Sequence, residues 1–147
     1  MEVERELVDV LREQVAEHPF ENVEVVFGEY TDPKLPDGEI DLAITSLTYH
    51  HIAGRVEYFA NLRKDLSLDG RVAHLDDRDD LPTPIRWLPT KGHWSNVAEM
   101  TDEMDRADYV RVAHFDFLPV QSFQIYEPKA PTPQSARSTS ARDAAGP

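Results

Sequence analysis

The sequence predicts an α/β fold with a mostly parallel sheet, and three observations carry that prediction. The apolar run Asp41-Leu-Ala-Ile44 is followed by helical spacing over residues 55–66 and then by a β-rich run at 71–75. Strand, helix and strand in that order make a right-handed crossover whose two strands are parallel. Upstream, a helical stripe over 4–17 precedes β-branched residues at 22–27. Downstream, β-rich runs at 109–117 and 121–126, linked through Pro119, read as an antiparallel hairpin closing the sheet.

Each element has a local reason. Leu7, Val8, Val10, Leu11 and Val15 recur at spacings of three and four, so the first helix should bury that stripe, and His18-Pro19 should end it because proline lacks an amide donor. The strand at 22–27 should stop at Gly28, and Leu35-Pro-Asp-Gly38 is turn chemistry leading into a buried central strand at Glu39. The helix over 55–66 turns Val56, Phe59, Ala60 and Leu62 inward, with Gly70 closing it. The prolines between Leu81 and Pro89 predict an irregular lid holding Ile85, Trp87 and Leu88. Ser95 can cap a helix to Ala107 whose inner residues are Val97, Met100 and Met104.

A chain of 147 residues holds one core, which the pattern assigns to residues 1–127; the proline- and serine-rich remainder, 128–147, should be disordered. The formal charge of −13 disfavours nucleic acid or an anionic membrane as partner and points to a small or neutral one. With no cysteine, disulfides, thiolate zinc sites and cysteine nucleophiles are excluded. No apolar run approaches the roughly 20 residues that span a bilayer, and the acidic start is unlike a signal peptide, so a cytoplasmic location is expected.

In open α/β sheets, ligands gather outside the carboxyl ends of the strands, where Ser46, Thr48, Tyr49, His50 and His51 fall. The histidine pair has two readings: general-base work, which an unperturbed pKa near neutrality suits, or polar capping of the helix that follows. The acidic cluster from Asp76 to Asp80 reads as a solvated loop, with a cation or a substrate amine as the alternative. A metal site built from His50, His51, Asp76 and Asp77 is disfavoured, because adjacent histidines seldom point at one ion. Trp87 reads either as core cover or as a site wall.

The order helix, strand, turn, strand, helix, strand, lid, helix, hairpin resembles the latter two-thirds of a class I S-adenosylmethionine-dependent methyltransferase over residues 2–126. The phrases that carry the resemblance are Asn22-Val-Glu-Val-Val-Phe-Gly-Glu-Tyr30, Leu35-Pro-Asp-Gly-Glu-Ile-Asp-Leu-Ala-Ile44, Tyr49-His-His-Ile52 and Asn61-Leu-Arg-Lys-Asp-Leu-Ser-Leu-Asp-Gly-Arg-Val72. It implies a Rossmann-like sheet, S-adenosylmethionine as cofactor, and methyl transfer to an unidentified small-molecule or protein acceptor. By the same resemblance Glu2 accepts from the ribose hydroxyls, Glu29 and Tyr30 meet the adenine, and Ser46 and Leu47 line the methionine end. Tyr49, His50 and His51 face the acceptor, with Trp87 and His93 as its walls.

The family's first strand and its G-x-G-x-G turn would lie upstream of Met1, and the six glycines here form no such loop. With the family's strand order 3-2-1-4-5-7-6, the strand at 22–27 and the one at Asp41 would stand roughly 14 Å apart. Either the first slides across to pair with the second, or another chain completes the open edges, giving a homodimer. A truncated gene or a misassigned start accounts for the gap. The alternatives to an enzyme of this family are a degenerate, non-catalytic module acting as a dimer or by docking, and a nicotinamide-dependent oxidoreductase, whose Tyr-x-x-x-Lys pair is lacking.

Overall fold

A computed structural model describes residues 1–18, 21–78 and 95–130. In chain order the described elements are α1 (Arg5–Glu17), β1 (Ile40–Ser46), a 3-10 turn (Tyr49–His51), α2 (Arg55–Leu62), β2 (Leu66–Asp77), α3 (Val97–Arg106), β3 (Tyr109–Phe115) and β4 (Gln121–Pro128). The strands form one mixed sheet in the order β1-β2-β4-β3. β1 runs parallel to β2 through the α2 crossover, while β4 is antiparallel to both β2 and β3, so the expected crossover and hairpin both form. Among the described residues, parallel pairing beyond β1 and β2 is limited to the isolated bridges Glu2 with Phe27 and Arg78 with Ser95. The expected lid at 81–89 and the expected disorder beyond residue 130 lie outside the described residues. No helix among the described residues is long and apolar enough to cross a membrane.

One side of the sheet makes the core. Directly paired residues point the same way, so Ala43, Val72, Tyr126 and Arg111 form one row and Thr45, His74, Gln124 and His114 the next. Phe59 and Leu62 of α2, Met100 and Met104 of α3, and Tyr49 of the turn cover these rows; all five are buried. Burying each such side chain contributes roughly 1.5–3 kcal/mol. α3 is held at its start by Asn96, whose side chain accepts from the amides of Ala98 and Glu99, so the cap is Asn96 and not Ser95.

Several local expectations need correction. The segment at 22–27 is not a strand: Glu2 donates to the Val26 carbonyl, Gly28 donates to that of Glu2, and no longer ladder forms because no further strand lies beside it. It does not slide across to β1, which stands at the sheet's edge and not at its centre. β1 is also not buried on both faces, since Leu42 and Ile44 are 51% and 64% exposed. α1 covers only part of its apolar arc: Val8 is buried, but Leu7 and Val10 are about half exposed. Its contacts go to the segment after it, through Arg12 to the Val25 carbonyl and Arg5 over the Phe27 ring.

α2 ends at Leu62, and Gly70 lies inside β2 instead of closing the helix. Between the pairs Ile40 with Leu66 and Leu42 with Arg71 the register slips, and the extra residues loop out with Leu68 fully exposed. A Cβ at Gly70 would stand 2.6 Å from the Ile40 carbonyl oxygen, so the loop-out requires glycine. Gly70→Ala should cost about 1–3 kcal/mol in denaturant unfolding, because the obstruction is backbone and cannot rotate away.

His74 is wholly buried among Tyr49, Phe59 and Tyr126, with its Nδ1 2.6 Å from Thr45 Oγ1. Burial pushes its pKa down to about 3. A depressed value means the unfolded chain takes up the proton first, so stability is full above about 6.5 and falls as the pH drops toward about 3. His74→Gln keeps a partner for Thr45 without titrating. Urea unfolding between pH 7 and pH 4 should therefore show a shallower loss of stability in this variant, by up to several kcal/mol.

Candidate active site

The geometry starts where β1 runs out. Leu47 continues the ladder by donating to the Leu75 carbonyl at 2.8 Å, yet its φ of 51° lies in the left-handed region, which a branched side chain rarely adopts. That turn swings the chain off the sheet into the 3-10 turn, closed by His51 donating to Thr48 and Ile52 to Tyr49. Thr48 Oγ1 donates back to the Ser46 carbonyl at 2.8 Å. Strained backbone of this kind clusters at binding and catalytic sites.

Tyr49 is 2% exposed, stacks on Phe59 at 5.6 Å and donates its hydroxyl to Glu103 Oε2 at 2.7 Å. Arg55, the first residue of α2, closes a fork on the same carboxylate, Nε to Oε2 at 2.6 Å and Nη2 to Oε1 at 2.9 Å. Burial works against the charge on Glu103, but the bonds from Arg55 and Tyr49 outweigh it and hold the carboxyl below its usual range. Burial and then the Glu103 carboxylate push the Tyr49 hydroxyl well above the usual phenol range.

His50 lies against Asp76. Its Nδ1 is 2.8 Å from Asp76 Oδ1, its amide donates to Oδ2 at 3.2 Å, and the Asp77 amide donates to Oδ1 at 2.9 Å. Asp76 is wholly buried, which corrects its reading as part of a solvated loop; Asp79 and Asp80 lie outside the described residues. An ionised carboxylate only accepts, so opposite an ionised Asp76 it is Nδ1 of His50 that donates. The His51 ring lies 4.0 Å from that of His50. Among the described residues no three metal-ligating side chains converge. A polar hollow of about 160 Å³ opens between the turn and α3, lined by Tyr49, His50, Arg55, Ser95 and Glu103.

The structure brings Ser46, Leu47, Tyr49, His50 and His51 together at the end of β1. It gathers Glu2, Glu29 and Tyr30 elsewhere, beside α1. Glu2 Oε1 accepts from the amides of Val3 and Glu4, which lowers its pKa, Tyr30 donates to Glu4, and Glu29 pairs with Lys34 at 3.6 Å. Trp87 and His93 lie outside the described residues. Asp76, Arg55 and Glu103 were not singled out from the sequence as site residues in these roles. Alternation along β2 carried the signal for Asp76, since Val72 and His74 already point inward and Asp76 follows two residues on.

No protein-family model matches the sequence, nor does any curated protein. Solved structures do. A SAM-dependent methyltransferase from Aquifex aeolicus superposes with a TM-score of 0.66 at 21% identity, over 85% of this chain and 64% of its own. Mitomycin 7-O-methyltransferase MmcR gives 0.67 at 14% identity, over 82% and 39%. The trans-methyltransferase CalH, solved with SAH, gives 0.62 at 18%, over 84% and 40%. This chain thus spans less than two thirds of each of these three. Its fold is that of class I S-adenosylmethionine-dependent methyltransferases.

Proposed function

We propose that the chain carries the acceptor side of a methyl transfer from S-adenosylmethionine to a hydroxyl or amine of a small-molecule or protein acceptor, with His50 taking the acceptor's proton. The observation that supports this most is the 2.8 Å bond from His50 Nδ1 to a carboxylate withdrawn from water, just past the end of a parallel strand. An imidazole oriented through one nitrogen by a carboxylate presents the other toward an acceptor. His51 stands beside it as the second candidate. Tyr49 walls the site as a phenol, since its raised pKa rules out a base at neutral pH.

When bound, S-adenosylmethionine supplies an electrophilic methyl on a sulfonium. Its transfer needs in-line approach and exclusion of water more than a strong base. Ser46 and Leu47 would line the methionine end, Glu2 the ribose, and Glu29 and Tyr30 the adenine. Glu2 Oε1 already accepts from the amides of Val3 and Glu4 and Tyr30 donates to Glu4, so these groups would have to exchange partners to meet the ribose and adenine, and Gly28, Gly38, Gly54 and Gly70 form no G-x-G-x-G turn for the middle of the cofactor. Trp87 and His93 remain proposed walls of the acceptor site. A second reading, a non-catalytic module of the same fold that dimerises or docks, is favoured by one observation: Leu42, Ile44 and Phe117 stand exposed on or beside the sheet.

Titration calorimetry should give no heat from this chain with micromolar S-adenosylmethionine and a clear isotherm from a form extended upstream by a glycine-rich turn. A strong isotherm from the chain alone would overturn the account of the unmet middle. In the form that binds, His50→Gln and Asp76→Asn should slow S-adenosylhomocysteine release with a panel of phenols and amines by about a hundredfold, with cofactor affinity unchanged. Unaltered rates in both variants would remove His50 as the base.

A further inference from the structure

We propose that two copies of this chain form a symmetric dimer in which α1 of each protomer lies across the face of its partner's sheet opposite α2 and α3. Two separate apolar surfaces carry the inference. The first is the side of the sheet away from α2 and α3, where Ile44, Ala73, Ile125 and Ala113 form a row across all four strands. The next row runs from Ser46 through Leu75 and Phe123 to Phe115. At the two edges Leu42 is 51% exposed, Ile44 64% and Phe115 38%, and Phe117, its ring 6.3 Å from that of Phe123, is 69% exposed. The Arg71–Glu127 ion pair shares this face in the row of Leu42, and the apolar rows beside it offer a helix a surface to cover.

The second surface is on α1. Its apolar arc is wider than its contact: Val8 is buried at 2% exposure, while Leu7, Val10 and Leu11 are exposed by 50%, 48% and 38%. Among the described residues, the exposed apolar arc of α1 and the exposed apolar edges of this sheet face are complementary, and a two-fold axis satisfies both at once. Together the seven side chains expose on the order of 600 Å² of apolar surface per protomer, near the roughly 800 Å² that a standard interface takes from each partner. The charge of −13 on each copy opposes association, so salt should strengthen it. The inference holds whether or not the chain transfers methyl groups.

Because the chain has no cysteine, introduced pairs report cleanly. Leu11→Cys protein mixed with Ile44→Cys protein should cross-link with a short bismaleimide into a heterodimer. Asp9→Cys, on the opposite side of α1, should not link to Ile44→Cys. Sedimentation equilibrium should give a dimer mass, with association about tenfold or more tighter in 2 M than in 0.1 M KCl. Ile44→Glu should weaken that association by about a hundredfold, with the far-ultraviolet dichroism of the folded chain retained. A monomer at high salt overturns the proposal. So does a dimer in which Ile44→Cys links to itself and not to Leu11→Cys, the pattern expected if the β1 edges pair directly.

Discussion

The carboxylate of Asp76 has no access to water, and a charge so placed costs several kcal/mol unless donors meet it. The ring and amide of His50 and the amide of Asp77 are those donors. The acceptor belongs to β2 and two of the donors to the turn after β1, so satisfying one buried charge also fixes a loop to a strand. Breaking such a pair from one side leaves the other uncompensated, a loss on the order of 3–5 kcal/mol. The rest of the site follows from that anchor. With His50 held, Tyr49 on one side drops into the core against Phe59 and His74, and His51 on the other stays near the surface.

Much of this arrangement was legible in the sequence because it rests on local periodicity. The crossover from β1 through α2 to β2, the closing hairpin, and the turn carrying Tyr49 to His51 all follow from spacing that a single segment specifies. What was not legible depends on what lies beside a segment. Residues 22–27 have strand composition yet form only a bridge, because a strand needs a neighbour with which to build a ladder. Gly70 resembles a helix stop, but the carbonyl of Ile40, remote in sequence, is what demands a glycine there. Asp76 sits in a run of acids that reads as solvated, and it faces inward by the alternation that continues from Val72 and His74, in register opposite Ser122 in β4.

The sheet is served unequally on its two sides. The covered side is polar as well as apolar: His74, Gln124 and Ser122 are buried in it, and each has a partner, Gln124 through Tyr126 and Ser122. Such a network specifies one packing, since each member loses its partner if α2 or α3 shifts. The other side offers mostly aliphatic and aromatic groups, with the exposed Arg71 and Glu127 ion pair on its two inner strands. It has the chemistry of a surface meant to be covered and none of the hydrogen bonding that would fix what covers it. Any covering element would be specified by shape and area alone, so a helix of the right width suits it better than a polar loop.

The two candidate rims of the cofactor site have different anchors. Ser46 to His51 are tied to β2 through main-chain bonds and the Asp76 carboxylate. Glu2 and Tyr30 are tied to the start of α1 through Glu4, Glu29 is tied to Asp32 and Lys34, and that group reaches the body of the fold through residues 31–39. In that link the Thr31 carbonyl accepts from Asn61, Asp32 pairs with Lys64 at 3.1 Å, and Leu35 packs on the core. Exposed ion pairs such as the second contribute little, about 0–1 kcal/mol each. The spacing between the rims therefore rests on a few side-chain contacts to α2, not on a strand ladder. Local stability follows contact density, so the α1 end should open with a smaller free energy than the sheet, and a ligand bridging both rims would spend part of its binding energy holding them at a fixed distance.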